Sequence, residues 1–290
     1  MNELTPQGQR GKVAPTFLLL VPSVLLISFL LVAPYGYMVP VSFCKPGQIS
    51  GYEKAFTLAN YAKALGDSYY LRIMMWTLVY SIGTTLGCLL LGYPVAYYLA
   101  RTRTKWKGLL MIGILSPLLV GVVIRCYGWM VLLADNGLVN SLLGRLGIGP
   151  FKLMYNPFGV MLALVHINLP FMILTLTGSI QTIDPVLEEA AQSLGASPRR
   201  TFFSVTLPMS LPGVYSGTLL VFLQVVSAYA IPVLLGGFQV MMTPILVVQQ
   251  VIDIFNWPFG SALAIVLFIV SGLIIWLYTR AMNRLMRGLA

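Results

Sequence analysis

The chain has 290 residues, of which 58% are hydrophobic and only 9% charged, with a formal net charge of +10. A soluble chain carries roughly 25% charged residues, so this one cannot cover a water-facing surface, which excludes a soluble enzyme, a nucleic-acid-binding domain and a disordered scaffold. It reads as an integral membrane protein, all-α and polytopic, whose basic excess reports orientation in the bilayer before it reports partners.

The unit of description is then the span of ~20 apolar residues, and the gaps between charged residues mark six: about 14–42, 73–100, 108–134, 157–180, 211–236 and 259–282. Arg10 and Lys12 precede the first, whose apolar run exceeds the roughly 7–15 residues of a signal core, so it is expected to stay as a span. The third is interrupted by Arg125, a charge that costs ~2.5–3.5 kcal/mol or more at mid-membrane. After the fifth, Gly236-Gly237 and Thr243-Pro244 break the chain, and residues 245–255, with Gln249 and Asp253, are too short and polar to cross. They are expected as an outer-face or re-entrant helix packed on protein.

Six spans put both termini on one side. Arg10, Lys12, Arg101, Arg103, Lys105, Lys107, Arg199, Arg200, Arg280, Arg284 and Arg287 share that side, against Lys45, Lys54, Lys63, Arg72, Arg145 and Lys152 on the other. The positive-inside rule places both termini in the cytoplasm, and a seven-span alternative would move Arg280, Arg284 and Arg287 outside against it. Cys44, Cys88 and Cys126 have no motif spacing, His166 is the sole histidine, and no phosphate-binding Gly-x-x-x-x-Gly-Lys-Ser/Thr loop occurs. No metal site or hydrolytic centre is implied, and energy from ATP would have to come through a partner.

The loop at 181–208, between the fourth and fifth spans, carries the most information. Asp184-Pro185 is an N-cap followed by a first-turn proline, and Leu187, Ala190, Ala191 and Leu194 share one helical face. Gly195 stands where a left-handed C-cap is needed, and Ser197-Pro198 opens a second short helix ending near Leu207-Pro208. The expected element is a helix-turn-helix with a small-residue face, rimmed by Glu188, Glu189, Arg199 and Arg200.

Glu189-Ala190-Ala191, Gly195 and Val205-Thr206-Leu207-Pro208 at this spacing resemble the EAA motif of permease subunits of ATP-binding-cassette importers. Within that family, Phe56-Thr57-Leu58-Ala59-Asn60-Tyr61, Leu91-Gly92-Tyr93-Pro94-Val95-Ala96-Tyr97, Arg125-Cys126-Tyr127-Gly128-Trp129 and Asn256-Trp257-Pro258-Phe259-Gly260 are similar to the spermidine and putrescine importer permeases, particularly the first of their two permease subunits. The resemblance implies a type I importer permease fold in a bacterial inner membrane, forming half of a twelve-span pore with a sibling permease. It implies a cytoplasmic ATPase dimer that holds ATP and magnesium while this chain binds no cofactor, and an extracytoplasmic binding protein that delivers substrate. Opines, amino-acid-like solutes and aminophosphonates are the alternative substrates. An ion-coupled secondary transporter is a further alternative, for which intramembrane carboxylates and an internal repeat are missing.

In this family the EAA loop docks on the ATPase. By resemblance Glu189 makes a polar contact there, Ala190 and Ala191 form the packed surface, Gly195 permits the turn and Pro208 sets the angle into the fifth span, with Glu188 beside them. For the substrate pathway the candidates are the aromatics Tyr127, Trp129, Phe171 and Tyr229, and the polar groups His166, Asn168, Gln224 and Asp253. The polar groups serve either as glue between helices or as pathway lining. Arg125 either caps carbonyls or snorkels near the outer interface, or else it faces the pathway, with Asp253 as its partner or as a substrate contact.

Overall fold

The structure is a computed structural model that describes residues 13–47 and 51–288; Arg10 and Lys12 lie outside the described residues. A long helix α1 (Val13–Ser42) leads into a two-stranded antiparallel ribbon, β1 (Lys45–Gly47) and β2 (Gly51–Glu53), with Lys45 opposite Glu53. The short α2 (Ala59–Gly66) follows, and buried Asn60 donates to the carbonyls of Ser42 and Cys44, both at 2.9 Å, tying α2 to the end of α1. Helix α3 (Ser68–Arg101) starts at Asp67, whose side chain accepts from the Tyr69 amide.

The segment expected as one helix over 108–134 is broken. It consists of α4 (Lys107–Leu115), a 3-10 turn (Ser116–Leu119) and α5 (Val122–Leu133), separated at Val120 and Gly121, and it continues into α6 (Leu138–Arg145). Pro117 and Gly121 explain the interruption: one lacks an amide donor and the other has little helical preference. Helix α7 (Pro157–Gln181) is capped by Asn156 and runs through Pro170 without a break.

Next come α8 (Pro185–Ser193), α9 (Pro198–Thr201), a π-helical turn (Phe202–Thr206) and α10 (Leu207–Met209). Helix α11 (Leu211–Val226) is bent by 64° from the preceding segment. The expected fifth span over 211–236 is likewise interrupted: α11 stops at Val226 and helical backbone resumes near Ala230, ending in a π-helical turn (Pro232–Gly236). Beyond it, α12 (Thr243–Val248) with its π-helical turn (Gln249–Asp253) packs on the last helix, α13 (Trp257–Arg287). Thr77 joins it to α3, accepting from the Thr243 amide at 2.8 Å.

Five segments among the described residues are long and apolar enough to cross a bilayer, and the bent pair ending in α11 makes a sixth. The core is the α3, α7 and α11 bundle, flanked by α1 against α13. Lipid gives no hydrophobic drive for helix association, so close backbone approach has to supply packing. Gly83 and Gly87 form one small-xxx-small pair on α3, and Gly213 and Gly217 another on α11. A Cβ at Gly87 would stand 3.0 Å from a Val165 methyl, one at Gly217 2.8 Å from Met172 Sδ, and one at Gly213 2.3 Å from Ser179 Cβ. The last clash cannot be relieved by a side-chain rotation. Gly213→Leu should therefore force α11 from α7 and cost about 1–3 kcal/mol, read as a lower Tm of the purified chain in detergent; an unchanged Tm would contradict this packing.

Candidate coupling surface and transmembrane cavity

The 181–208 loop folds as its cap residues dictate. Asp184 Oδ1 accepts from the Val186 amide at 3.0 Å, Ser197 Oγ from the Arg200 amide at 3.4 Å, and Gly195 adopts φ +88°. Around that glycine the Gly195 amide reaches Gln192 O and the Ala196 amide reaches Ala191 O, closing α8. The small apolar face is uncovered by the rest of the chain: Leu194 is 90% exposed and Leu187 42%, with Ala190 exposed and Ala191 half-buried beside them. Glu189 is exposed on the same helix, and Pro208 lies half-buried in α10, just before the bend.

Glu188 differs from the sequence expectation of a rim charge. It is turned into the fold at 9% exposure, and its carboxylate accepts from three residues on two elements, α3 and the π-helical turn. Arg101, the last residue of α3, gives Nη2 at 2.7 Å and Nε at 3.2 Å to Oε1 while its Nη1 holds Ile183 O at 2.9 Å. Thr206 Oγ1 adds 2.9 Å to Oε1, and the Tyr97 hydroxyl 3.3 Å to Oε2. One turn earlier on α3, the Tyr93 hydroxyl meets Ser210 Oγ at 2.7 Å, at the bend between α10 and α11. Phe202 packs edge-on to both tyrosine rings. The 181–208 loop is thus bolted to the end of α3 at its middle and at its exit.

The second feature is a cavity of about 280 Å³ between α5, α7 and the interrupted end of α11. Arg125, Asn168, Phe171, Gln224 and Tyr229, five of the residues expected along a pathway, line it together. Arg125 is half-buried, and its Nε and Nη1 are buried without a hydrogen-bond partner among the described residues. Asn168 spends its amide on Leu164 O at 2.8 Å, which leaves its carbonyl oxygen for the cavity. The break at residues 227–229 places Ala228 and Tyr229 on the wall with non-helical backbone, which is tolerated at membrane depth where it lines a cavity.

Residues 11–288 match the model of the family described as the binding-protein-dependent transport system inner membrane component. The chain belongs to this family.

The permease is 36% identical over 250 residues to the spermidine/putrescine transport system permease protein PotB of Escherichia coli strain K12, covering 86% of this chain and 90% of that one. It is 35% identical over 263 residues to PotB of Haemophilus influenzae, covering 90% of this chain and 91% of its relative. Its fold matches a chain of a bacterial ABC transporter involved in import of the acidic polysaccharide alginate, with a TM-score of 0.77 at 16% identity over 93% of this chain and 95% of that one. The molecule is an all-α, multi-pass inner-membrane permease with the type I importer fold, a transporter subunit rather than an enzyme.

Other expected pathway residues of the permease lie elsewhere. Trp129 Nε1 donates to His166 Nδ1 at 3.1 Å, so these two join α5 to α7 away from the cavity lining. Tyr127 is 56% exposed and outside the lining. Asp253 is exposed on the π-helical turn after α12 and does not pair with Arg125; the one ion pair among the described residues is Arg101–Glu188. Sequence reasoning missed Tyr93, Tyr97, Arg101, Thr206 and Ser210. The first three recur at i, i+4 and i+8, a stripe that gives one face of α3 a row of polar groups.

Removing one partner of a buried pair leaves the other charge uncompensated, at about 3 kcal/mol. Glu188→Ala and Arg101→Ala should each lower the Tm of the purified permease, and the double variant should lose much less than the sum. Additive losses in this double-mutant cycle would mean the two side chains act separately.

Proposed function

We propose that this chain is the first permease subunit of an ATP-driven polyamine importer, moving spermidine or putrescine inward by alternating access. Its partners are a sibling permease, a cytoplasmic ATPase dimer and an extracytoplasmic binding protein. ATP and magnesium belong to the ATPase, and this chain holds neither. Both termini face the cytoplasm, which puts α8 on the ATPase side. The observation that carries the docking role is the uncovered face of α8: Leu187, Ala190 and Leu194 stand exposed while Glu188 anchors the same helix to α3. Closure of the ATPase dimer pushes on α8, and a helix bolted through Glu188, Tyr97 and Thr206 moves α3 and α11 with it instead of sliding.

The polyamine reading is supported by likeness to PotB over most of both chains. In the cavity the aromatic faces of Phe171 and Tyr229 are available to an ammonium group. A second reading rests on Arg125 itself. Its two buried nitrogens without a partner among the described residues suit a carboxylate or phosphonate, and would favour an amino-acid-like, opine or aminophosphonate solute.

Two outcomes are expected. Ala190→Glu or Gly195→Asp should abolish uptake of radiolabelled spermidine or putrescine and uncouple ATP hydrolysis while the chain still reaches the membrane at normal level; normal uptake by either would remove the docking role. In calorimetric titrations the cognate binding protein should take spermidine or putrescine and ignore amines that carry an acid. Binding of the acid-bearing amine alone would replace the polyamine by the second class of substrate.

A further inference from the structure

The cytoplasmic-side end of α13 carries a basic stripe that neither the docking surface nor the cavity uses. Ile269, Leu273 and Trp276 are 60%, 54% and 54% exposed, and the same face continues through Arg280, Asn283, Arg284 and Arg287, all at the surface. Apart from Asn283, which stands beside Arg284, these positions advance by three or four residues at a time, so they form one row along the helix. Met282, at 8% exposure, and Tyr278, bonded to Thr218 Oγ1 at 2.7 Å, face the body of the protein instead. The arginines have no acidic counterpart: no Asp or Glu follows Asp253 in the sequence, and the one ion pair among the described residues lies elsewhere.

Depth decides what this row meets. Residues 257–279 carry no charge, and at about 1.5 Å per residue they rise about 34 Å, slightly more than the ~30 Å of bilayer hydrocarbon. Arg280 therefore emerges at the hydrocarbon edge, with Arg284 about 6 Å and Arg287 about 10 Å further along the axis. Trp276 is one turn inside that edge, where amphipathic rings anchor, and the Arg280 guanidinium sits 5.4 Å from its ring centroid. An apolar row that runs directly into guanidinium groups at this depth matches a phospholipid standing along the helix, tail against Ile269 and Leu273, phosphate against the arginines.

We propose that Arg280, Arg284 and Arg287, with Trp276 below them, bind the phosphate of an anionic phospholipid. The ligand chemistry is a phosphate oxyanion held by guanidinium donors, and its source is a lipid of the leaflet in which α13 ends. Basic side chains near an anionic surface each contribute about fivefold in affinity.

The test uses the importer complex purified in mild detergent, equilibrated with equal amounts of phosphatidylglycerol and phosphatidylcholine and read by native mass spectrometry. Phosphatidylglycerol should be retained in excess. Arg284→Gln, a change at an exposed position, should lower that excess about fivefold, the triple change of Arg280, Arg284 and Arg287 to Gln should abolish it, and the triple change to Lys should preserve most of it. Equal retention of the two lipids by the unaltered complex would overturn the proposal. Displacement of phosphatidylglycerol by millimolar inorganic phosphate would overturn the lipid as the source. A Gln triple variant that keeps its lipid and loses another subunit would overturn it in favour of an acidic protein surface.

Discussion

Hydrocarbon neither pulls apolar helices together nor offers water to an interrupted backbone, and the architecture follows from those two deficits. The first is met by glycine. Gly83 and Gly87 let α3 close on Met161 and Val165 of α7, and Gly213 and Gly217 let α11 close on Ser179 and Met172. The second is met by placing interruptions where they serve. Helix α11 stops at the wall of the Arg125 cavity, and the break before α5 precedes the helix that presents that arginine. A continuous α11 would have filled the space that Ala228 and Tyr229 now border.

The 181–208 loop combines rigidity in one place with exposure in another, separated by one residue. Glu188 and Glu189 are neighbours in sequence, yet α8 turns the first into the fold and the second outward. A carboxylate that accepts from Arg101, Thr206 and Tyr97 has its lone pairs occupied, so the helix that carries it is held in position relative to α3. The apolar residues Leu187 and Leu194 of the same helix are left uncovered. Tyr93 and Ser210 repeat the device at the bend, where a change in angle would otherwise be absorbed by α10 before reaching α11.

The cavity concentrates a different contrast. Its single charge is a guanidinium, yet the PotB permeases to which the chain is similar carry spermidine and putrescine transport in their names. A cationic wall does not hold a polycation tightly. A transport pathway that receives its solute from a separate binding protein gains from a weak internal site, because a tight one would slow release. In this chain the ring faces of Phe171 and Tyr229 border the same space as the Arg125 guanidinium.

Much of this was written in the sequence. Scarce charge and its spacing determined a membrane protein with about six apolar segments, because the cost of a buried charge is local and can be read residue by residue. The caps Asp184 and Ser197 and the left-handed Gly195 were legible for the same reason, since each acts within a few residues of itself. Tertiary structure alone decided that Glu188 faces Arg101, 87 positions earlier in the chain, that Trp129 and His166 pair away from the cavity, and that Arg125, Asn168, Gln224 and Tyr229 meet around one space. It also broke two spans that hydropathy drew as continuous, because an apolar average records how welcome a segment is in lipid and not whether its backbone stays helical there. Contacts between distant segments depend on which faces the helices turn to one another, and in lipid that is set by glycine-scale shape and by a few polar partners.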